Sequence, residues 1–374
     1  MGDILKGILK VLLGALIAFA LVIGGYAAYM EITYYRIPDY EPIEAIVEPT
    51  EAISLSTGVE YSAISYNIGF GAYSPDYTFF MDTGIMEDGT RSQGTSGTAV
   101  SLDAVITNTE GAIDVTATVH DGSAPDFILL QEVDTDSDRS YHVNQVDRFI
   151  EAFPGYGAWF ASNFHSAFLA LPLYDMHGVV NAGLLTLSRA DAASAIRRSY
   201  PIDESFPTKY FDLDRCFEVL TFNVEDGHRL ILINTHMSAY DEGGIIRNQQ
   251  LRLLLDYAAE QYAAGNYIVM GGDWNHALCG SEDMYPSHQL VPDWISVFSE
   301  DDLPEGFSVV RADNIEQVAT CRGVDIPYEE GFTYRATVDG FIVSDNVDAH
   351  ALNIETGYGY SDHNPVLIEF TLGA

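Results

Sequence analysis

Polar residues that can do chemistry recur in this sequence at the ends of apolar, strand-like runs. Asn67 follows AISY, Glu132 follows FILLQ, and His236 follows LILINT. Further along the chain the same pattern gives Asp273, Asn275, Asp339, Asp362 and His363. Because packing fixes the geometry of a strand end, such a position suits a functional site. One such residue alone is more often a cap or a turn, so it is their repetition that indicates function.

The donor atoms of this set favour an oxygen-ligated divalent cation. Carboxylate and amide oxygens suit Mg²⁺, which keeps several waters and takes one or two carboxylates, and Mn²⁺ accepts similar ligands. Neither HExxH nor a Cys/His cluster occurs, which disfavours zinc. An imidazole backed by a carboxylate has the pKa range for proton transfer near neutral pH. The set therefore suits the metal-assisted attack of water on a phosphoester, where a metal, an amide and a histidine stabilise the developing charge.

Eight apolar runs, rich in β-branched and aromatic residues, are predicted to be the strands that position these side chains. The runs are VEYSAISYN, PDFILLQEV, NAGLLTLS, CFEVLTFNV, RLILINTH, NYIVMGGDW, VDGFIVSD and NPVLIEFTL. Between them, the spacing of apolar residues predicts a helix over 245–261 and a second helix within 98–120. Strands interspersed with helices, with no internal linker or repeat, predict a single α+β sandwich.

Six short motifs carry a resemblance to a known family. SYNIG, QEVD, INTH, GGDWN, VDGFIVS and SDHNP occur in an order that resembles the endonuclease/exonuclease/phosphatase superfamily, over about residues 60–371. This superfamily contains deoxyribonuclease-like nucleases, inositol-polyphosphate phosphatases and bacterial sphingomyelinases. The resemblance implies a metal-dependent phosphodiesterase of membrane-anchored bacterial type. It also implies a four-layer α/β/β/α sandwich of two mostly antiparallel sheets.

The resemblance further implies which residues bind the metal and the substrate. Glu132 would be the principal metal ligand, with Asn67 beside it and Asp362 completing the metal shell. Arg139 and Tyr141 follow Glu132 in the loop DSDRSYHVNQ, where they could meet the substrate phosphate. A surface turn with a solvated arginine is an equally good interpretation of that loop.

The remaining motif residues would carry the reaction. By resemblance, Asp273 would orient the attacking water and Asn275 would hold a phosphate oxygen. His363 would act as general base or acid, with its tautomer fixed by Asp339. His236 matches a histidine that some members of the superfamily direct at the phosphate to stabilise the transition state.

The charge balance restricts the class of partner. The chain has 17 Lys and Arg residues against 55 Asp and Glu, which gives a net charge of −38. This composition disfavours a protein that holds nucleic acid on a broad basic face, since neutralising phosphates needs clustered cations. An enzyme that meets phosphate through a metal ion is compatible with it. No obligate protein partner is predicted.

The three cysteines are too few for a disulfide scaffold in a chain of this length. For an exported protein, one disulfide plus one buried thiol is the expectation. The pairing among Cys216, Cys279 and Cys321 stays open, and a bond between Cys279 and Cys321 is one option.

The N-terminus carries a candidate membrane anchor. Val11–Met30 contains no charge, and as a helix it would span about 30 Å, the thickness of a bilayer core. Two lysines precede it and an acidic stretch follows, so the positive-inside rule predicts a cytoplasmic N-terminus and an extracytoplasmic catalytic part. A cleaved signal peptide, with its cleavage site near Ala27 and Ala28, is the alternative and would give a secreted protein.

The chain is thus predicted to have three segments: an anchor (1–30), an acidic stalk (31–57) and a catalytic domain (58–374). Three functions remain open. The first is a tethered phosphodiesterase acting on lipid headgroups or small phosphodiesters. The second is an extracellular nuclease acting on DNA or RNA, and the third is an inactive surface binding module. The apolar segment 164–174 could meet a bilayer or form a buried edge strand.

Overall fold

The protein is described by a computed structural model that covers residues 2–210, 214–239 and 244–373. A seven-stranded sheet and a six-stranded sheet pack face to face, and helices cover their outer faces. This is the α/β/β/α sandwich predicted from the sequence. A long apolar helix precedes it.

The secondary-structure elements are as follows. In the described part of the chain the α-helices are α1 (Gly2–Thr33), α2 (Leu102–Thr118), α3 (Gln145–Ala152) and α4 (Ile245–Ala263). The strands are β1 (Glu41–Pro42), β2 (Glu60–Asn67), β3 (Thr83–Ile85), β4 (Arg91–Gln93), β5 (Phe127–Asp134), β6 (Gly157–His165), β7 (Asn181–Ser188), β8 (Ala192–Ser199), β9 (Cys216–Asn223), β10 (Arg229–His236), β11 (Tyr267–Asp273), β12 (His276–Ala277), β13 (Ser296–Val297), β14 (Phe307–Val310), β15 (Cys321–Arg322), β16 (Arg335–Ala336), β17 (Asp339–Ser344), β18 (Val347–Asn353) and β19 (Val366–Leu372).

Both sheets are mostly antiparallel, as predicted. The seven-stranded sheet has the order β1-β8-β9-β10-β11-β17-β14, and the six-stranded sheet has the order β18-β19-β2-β5-β7-β6. Within the two sheets, the parallel neighbours are β10 with β11 and β2 with β5. Each sheet therefore contains one parallel pair at its centre.

The core explains why the central strands have continuous apolar sequences. Side chains alternate between the two faces of a strand, and both faces are buried here. On β5, Phe127 and Leu129 face the inter-sheet core, whereas Ile128 and Leu130 pack against the α2 and α3 layer. On the opposite side of the sandwich, α4 covers the outer face of the seven-stranded sheet.

All eight predicted runs are strands, and both predicted helices are present. The helix predicted over 245–261 spans Ile245–Ala263, and the helix predicted within 98–120 spans Leu102–Thr118. The sequence patterns did not predict β6, β8, β18 or α3. These elements lie near the edges or on the surface, where many side chains face solvent and the apolar run is broken.

The helix α1 has the length and composition of a membrane span. Its 32 residues include an 18-residue window with a mean hydropathy of 2.4, and none of that window is buried by the rest of the protein. The apolar run predicted as an anchor lies entirely within this helix.

The segment predicted as a stalk lies against the sandwich instead of extending away from it. Arg36 pairs with Asp214 at 2.6 Å, and Arg198 pairs with Asp39 at 2.9 Å. The short strand β1 adds to the edge of the seven-stranded sheet by pairing with β8. The segment 31–57 therefore contacts the sandwich, and its assignment as a stalk, with its boundaries, stays a prediction.

The predicted disulfide is also wrong, because all three cysteines are free thiols. Cys216 packs with Ala161 and Leu184, whereas Cys321 belongs to a different cluster near the end of β15. Cys279 is half-buried beside the two large cores. Three thiols in separate clusters have no partner for a bond.

Candidate active site

The two parallel strand pairs bring the predicted functional residues to one edge of the sandwich. In the six-stranded sheet Asn67 is in register with Gln131, and in the seven-stranded sheet His236 is in register with Asp273. Parallel strands end on the same side, so these carboxyl ends lie together. The strand β17 is antiparallel to β11 and starts at Asp339, directly opposite Asp273.

The loop before β19 closes the site from the other sheet. Since β19 is antiparallel to β2, the residues that precede β19 return to the end of β2 at Asn67. Ser361 Oγ donates to the Asn67 carbonyl oxygen at 2.8 Å and accepts a hydrogen bond from the His363 backbone at 3.2 Å. These bonds fix the motif that carries Asp362 and His363.

The backbone at two of these strand ends is strained. Glu132 has φ 53° and Asn275 has φ 49°, in the left-handed region that side chains with a Cβ rarely adopt. The register of β5 against β7 shifts around Glu132, which is the signature of a β-bulge. At Gly272, a Cβ atom would lie 2.0 Å from the Thr235 carbonyl oxygen, so only glycine allows β10 and β11 to pair this closely. Strain of this kind is typical of functional sites.

Asn67 connects the carboxylates at the centre of the site. Its Nδ2 donates to Asp273 Oδ2 at 3.0 Å and to Glu132 Oε1 at 3.3 Å, while its Oδ1 accepts from the Gly69 backbone at 3.0 Å. His236 Nε2 lies 3.5 Å from Asp273 Oδ2 and 3.8 Å from Glu132 Oε1. Residues from both sheets therefore form one cluster of polar side chains.

The predicted pair of His363 and Asp339 is in contact. His363 Nδ1 lies 2.8 Å from Asp339 Oδ2, and its Nε2 lies 3.7 Å from Asp273 Oδ2. Thr320 Oγ1 accepts a hydrogen bond from the Asp339 backbone at 3.0 Å and so fixes the start of β17. Burial lowers the pKa of His363, but the surrounding negative charges, with Asp339 first, outweigh it and raise this pKa well above the ordinary value.

Burial and neighbouring charges shift the pKa values of the other site residues. Burial raises the pKa of Asp273 to about 6. Burial also raises the pKa of Asp362, and the charge of Glu132 raises it further. The pKa of His236 is well below its ordinary value because of burial and the positive charges nearby, with Arg215 first. These shifts favour the neutral form of His236 and the cationic form of His363.

Two different sets of residues could hold a metal ion. Asp273, Asp339 and His363 offer ligand atoms that all lie within 4.8 Å of one another. Asp339 and His363 are already bonded to each other, however, which suits proton transfer better than ligation. In the predicted metal set, Glu132 and Asp362 both line the cleft.

The side-chain oxygen of Asn67 points away from Glu132. Its nitrogen points to Glu132 and Asp273, and its oxygen accepts from Gly69. Metal ligation by Asn67 would require the amide to turn about its last torsion. Asn275 likewise donates to the Met237 carbonyl oxygen at 2.9 Å, a bond that it would exchange for one to a phosphate.

The two residues predicted for substrate binding differ in position. Arg139 is buried, forms two hydrogen bonds to Asp134 at 2.8 and 3.1 Å, stacks on Phe70 at 3.8 Å and lines the cleft. Tyr141 is exposed and is not among the described residues that line the cleft. The structure therefore brings Arg139 to the site and leaves Tyr141 outside it.

Arg322 is a cleft residue that sequence reasoning missed. It is buried, and it donates to the carbonyl oxygens of Ser74 at 3.0 Å and Gly323 at 3.1 Å. Its Nε has no hydrogen-bond partner in the described part of the chain. The sequence offered one indication of a functional role, which is that arginine and lysine are scarce. The chain has only 17 basic residues, so few arginines are available for purely structural positions.

Part of the cleft lining is aromatic, and we call this part the aromatic wall. It consists largely of residues from the segment between β2 and α2, together with the end of β6. The aromatic residues that line it are Phe70, Tyr73, Phe79, Phe80 and Phe164. The cleft is thus lined by both charged and aromatic side chains.

This combination of motifs and geometry agrees with the family comparison. The model of the Endonuclease/Exonuclease/phosphatase family matches residues 64–363. The chain belongs to this family. The matched range begins within β2 and ends at His363, so it includes both parallel strand pairs. The comparison with curated proteins gave no match.

Solved structures of family members share the fold at low sequence identity. An endonuclease/exonuclease/phosphatase from Beutenbergia cavernae is 17% identical with a TM-score of 0.53, covering 84% of this chain and 72% of that one. TDP2 from C. elegans is 16% identical with a TM-score of 0.51, covering 84% of this chain and 76% of that one. ANGEL2, described as a 2′,3′-cyclic phosphatase, is 17% identical with a TM-score of 0.50, covering 90% of this chain and 100% of that one.

Proposed function

We propose that this family member is a membrane-tethered, extracytoplasmic hydrolase that cleaves a phosphoester or phosphodiester by metal-assisted attack of water. The observation that carries the proposal is the meeting of both sheets in one cleft. The carboxylates of Glu132 and Asp362 line the same cleft as the bonded pair of His363 and Asp339. Oxygen ligands beside a proton-transfer pair are what hydrolysis at phosphorus requires.

The donor set fits a divalent cation, with Mg²⁺ proposed and Mn²⁺ as a substitute. Glu132 and Asp362 are like charges close enough for one to raise the pKa of the other, and a cation would relieve that repulsion. We assign ligation to these two carboxylates and to the Asn67 oxygen. A bound ion would lower the pKa of a water molecule and stabilise negative charge on the phosphate.

The residues of the chain supply the proton transfers. Asp273, with its pKa of about 6, is ionised at neutral pH and remains basic enough to accept a proton from the attacking water. We assign the cationic form to His363, with its Nδ1–H donating to Asp339. Its Nε2–H, which lies 3.7 Å from Asp273 Oδ2, would turn to a phosphate or leaving-group oxygen when substrate binds. Asn275 and the neutral His236 are proposed to donate hydrogen bonds to the remaining phosphate oxygens.

Two buried arginines are proposed to bind the substrate. Arg139 is oriented by its carboxylate partner Asp134 and is partly neutralised by it. In the described part of the chain, Arg322 donates hydrogen bonds to carbonyl oxygens, which leave its charge available to a phosphate. Arg322 is the stronger candidate for the phosphate contact.

The contacts of α1 support a retained anchor over a cleaved signal. Tyr26 Oη donates to the Phe168 carbonyl oxygen at 2.9 Å, and Met30 is buried against Leu169 and Tyr210. Cleavage near Ala27 would remove Tyr26 and expose this surface. The charge asymmetry around the apolar run supports a cytoplasmic N-terminus.

Chelation tests the proposed chemistry. The full chain in detergent should hydrolyse bis(p-nitrophenyl) phosphate, lose this activity in excess EDTA and regain it with Mg²⁺ or Mn²⁺. A parallel screen against plasmid DNA, RNA, sphingomyelin and inositol phosphates identifies the substrate class. Full activity in excess EDTA would contradict the metal assignment.

Protease accessibility tests the topology. Protease added to intact protoplasts should remove the activity and leave a short membrane fragment that contains α1. Activity found entirely in the culture medium, with a mature N-terminus near residue 29, would support the cleaved signal instead.

A further inference from the structure

The connection between β6 and β7 lies between the membrane helix and the active site. We call residues 166–178 of this connection the docking loop. Its side nearest the cleft includes Leu169, which lines the cavity together with Phe164 at the end of β6. Leu169 also belongs to the cluster that buries Met30 of α1. One short loop therefore contacts both the anchor and the substrate site.

Two tyrosines of α1 satisfy the backbone of the docking loop. Tyr26 Oη donates to the Phe168 carbonyl oxygen at 2.9 Å and accepts from the Ala170 amide at 3.1 Å. Tyr29 Oη accepts from the Phe168 amide at 3.2 Å. Polar backbone groups that enter a poorly hydrated region need such partners. The loop is thus equipped for a place where water is scarce.

These contacts set the depth of the loop relative to a bilayer. Tyr26 lies four residues before Met30, the end of the uncharged run, which is about 6 Å along the helix. Tyrosines at the end of a membrane span typically occupy the headgroup level. In a bilayer spanned by α1, a loop that is hydrogen-bonded to Tyr26 and Tyr29 would lie at that same level.

The docking loop exposes apolar side chains that the protein itself does not cover. Leu173 is 72% exposed and Tyr174 is 73% exposed. The other large apolar residues exposed on the loop are Phe168, Leu171 and Met176. Residues 166–178 contain no lysine or arginine, so anionic lipid would add little attraction. Burial of apolar area is what would drive insertion here.

The loop is held on its other side by the segment that forms the aromatic wall of the cleft. Asp175 accepts hydrogen bonds from the Gly97 amide at 2.7 Å and from Thr98 Oγ1 at 2.8 Å. His177 packs against the rings of Phe79 and Phe80 at 5.9 and 6.0 Å. The docking loop therefore contacts the residues of the aromatic wall directly through His177, which itself lines the cleft.

We propose that the docking loop inserts into the bilayer that α1 spans, and that the cleft takes its phosphoester from the headgroup of a lipid in that membrane. The aromatic wall would receive the apolar part of the lipid next to the scissile phosphate. This inference rests on the proposed function and names its substrate class. The net charge of −38 agrees with it, because a lipid headgroup needs no long basic track as a polynucleotide does.

Insertion is tested without catalysis. Full-length Leu173→Trp is placed in phosphatidylcholine nanodiscs, with and without bromine on the acyl chains. The matched control is Leu352→Trp, at a leucine that is 41% exposed. Leu352 is on β18, which forms one edge of the six-stranded sheet, whereas β6, which precedes the docking loop, forms the other edge. Bromolipid should quench the added fluorescence at 173 and leave that at 352 unchanged. No quenching at 173, or equal quenching at both positions, would overturn the proposal.

The substrate class is tested with two kinds of probe. Headgroup release is measured from nanodiscs that contain phosphatidylcholine, phosphatidylglycerol and sphingomyelin, and hydrolysis of soluble bis(p-nitrophenyl) phosphate is measured in parallel. The double variant Leu173→Asp, Tyr174→Asp should lower headgroup release about tenfold or more, as charged groups oppose insertion, and leave the soluble reaction unchanged. Leu352→Asp should change neither rate.

The outcomes separate this inference from the proposed function. Hydrolysis of the soluble probe without release of any headgroup would overturn the lipid assignment and leave the hydrolase intact. Equal loss of both reactions in the double variant would overturn the docking role. If Glu132→Gln alters neither reaction, or if neither reaction occurs, the proposed function itself fails.

Discussion

The strand-end site and the docking loop are built in different ways. The site is buried, and the register of paired strands positions its side chains, as in the opposition of Asp273 and Asp339. The docking loop exposes apolar residues, and its backbone depends on hydroxyl groups of α1, such as that of Tyr26, 142 residues away from Phe168. The sandwich therefore positions the candidate catalytic side chains, whereas the docking loop connects the cleft to α1, an element outside the sandwich.

The largest expected effect belongs to His363 and Asp339. If Asp339 stabilises the charged imidazole, His363→Ala and Asp339→Ala should each lower turnover by on the order of 10²-fold or more. The double variant should be scarcely slower than His363→Ala, because groups that act as a unit share one role. Turnover of the soluble probe measures this.

Multiplicative losses in folded variants would show that the two residues act separately. The site would then not be a single unit fixed by strand register. In that case the difference between the site, positioned by strand register, and the docking loop, held by α1, would be smaller than the contacts suggest.

The site was largely predictable because its residues sit in local sequence patterns. An apolar run followed by Glu132, or the motif SDHNP around Asp362, is visible without knowledge of the fold. The continuous apolar character of β2, β5, β10 and β11 follows from burial on both faces, and it marked the central strands correctly. The low apolar content of β8 and the polar, half-exposed pattern of β18 concealed them.

What could not be predicted depends on contacts between distant segments. The partner of Arg36 is Asp214, just before β9, and the partner of Asp39 is Arg198 on β8. Nothing in a segment rich in proline and acids indicates contacts with residues so distant in sequence. Arg322 lies in the two-residue strand β15, within a stretch with little periodicity, so the sequence pattern did not indicate that it lines the cleft. The role of the docking loop could not be predicted from its sequence, because it depends on the contacts that the loop makes with α1.

A second prediction concerns Arg322. Losing a charged hydrogen bond to phosphate costs about 1.5–3 kcal/mol, so Arg322→Gln should lower kcat/KM by roughly 10- to 100-fold. Arg322→Lys should recover part of the loss because it keeps the charge. The matched control is Arg335→Gln, a buried arginine directly opposite in the β15–β16 ladder that is not among the cleft-lining residues. It should affect stability without a comparable loss of kcat/KM, and equal kinetic losses would remove Arg322 from the substrate site.

A smaller effect is expected where α1 meets the docking loop. Replacing Tyr26 and Tyr29 with phenylalanine removes three hydrogen bonds to the loop and retains the apolar anchor. Each bond is worth about 1 kcal/mol, so amide exchange at Phe168 and Ala170 should quicken roughly fivefold. Exchange in β5 should not change. Faster exchange in both regions would show that the site and the loop are not independent.

The smallest effect is a stability change beneath the site. Glu218 is buried between the sheets, where Thr186 Oγ1 donates to its Oε2 at 2.6 Å, and burial raises its pKa well above the ordinary value. The folded state then keeps a proton that the unfolded state releases, so this group lowers stability as pH rises above the unfolded pKa of about 4.3. Glu218→Gln should raise the melting temperature at pH 8 relative to the wild type, and this gain should shrink towards pH 4. A gain that is independent of pH would contradict a protonated Glu218.

The most direct test of the central claim is a calorimetric titration of Mg²⁺ into the full chain. Wild type is compared with Glu132→Gln and with Glu151→Gln, the same change at an exposed position on α3. Loss of even an outer-shell partner weakens metal binding about tenfold, so Glu132→Gln should weaken it by at least that factor, while Glu151→Gln binds as the wild type does. Equal Mg²⁺ affinity in wild type and in folded Glu132→Gln would contradict a metal site at the meeting point of the two sheets.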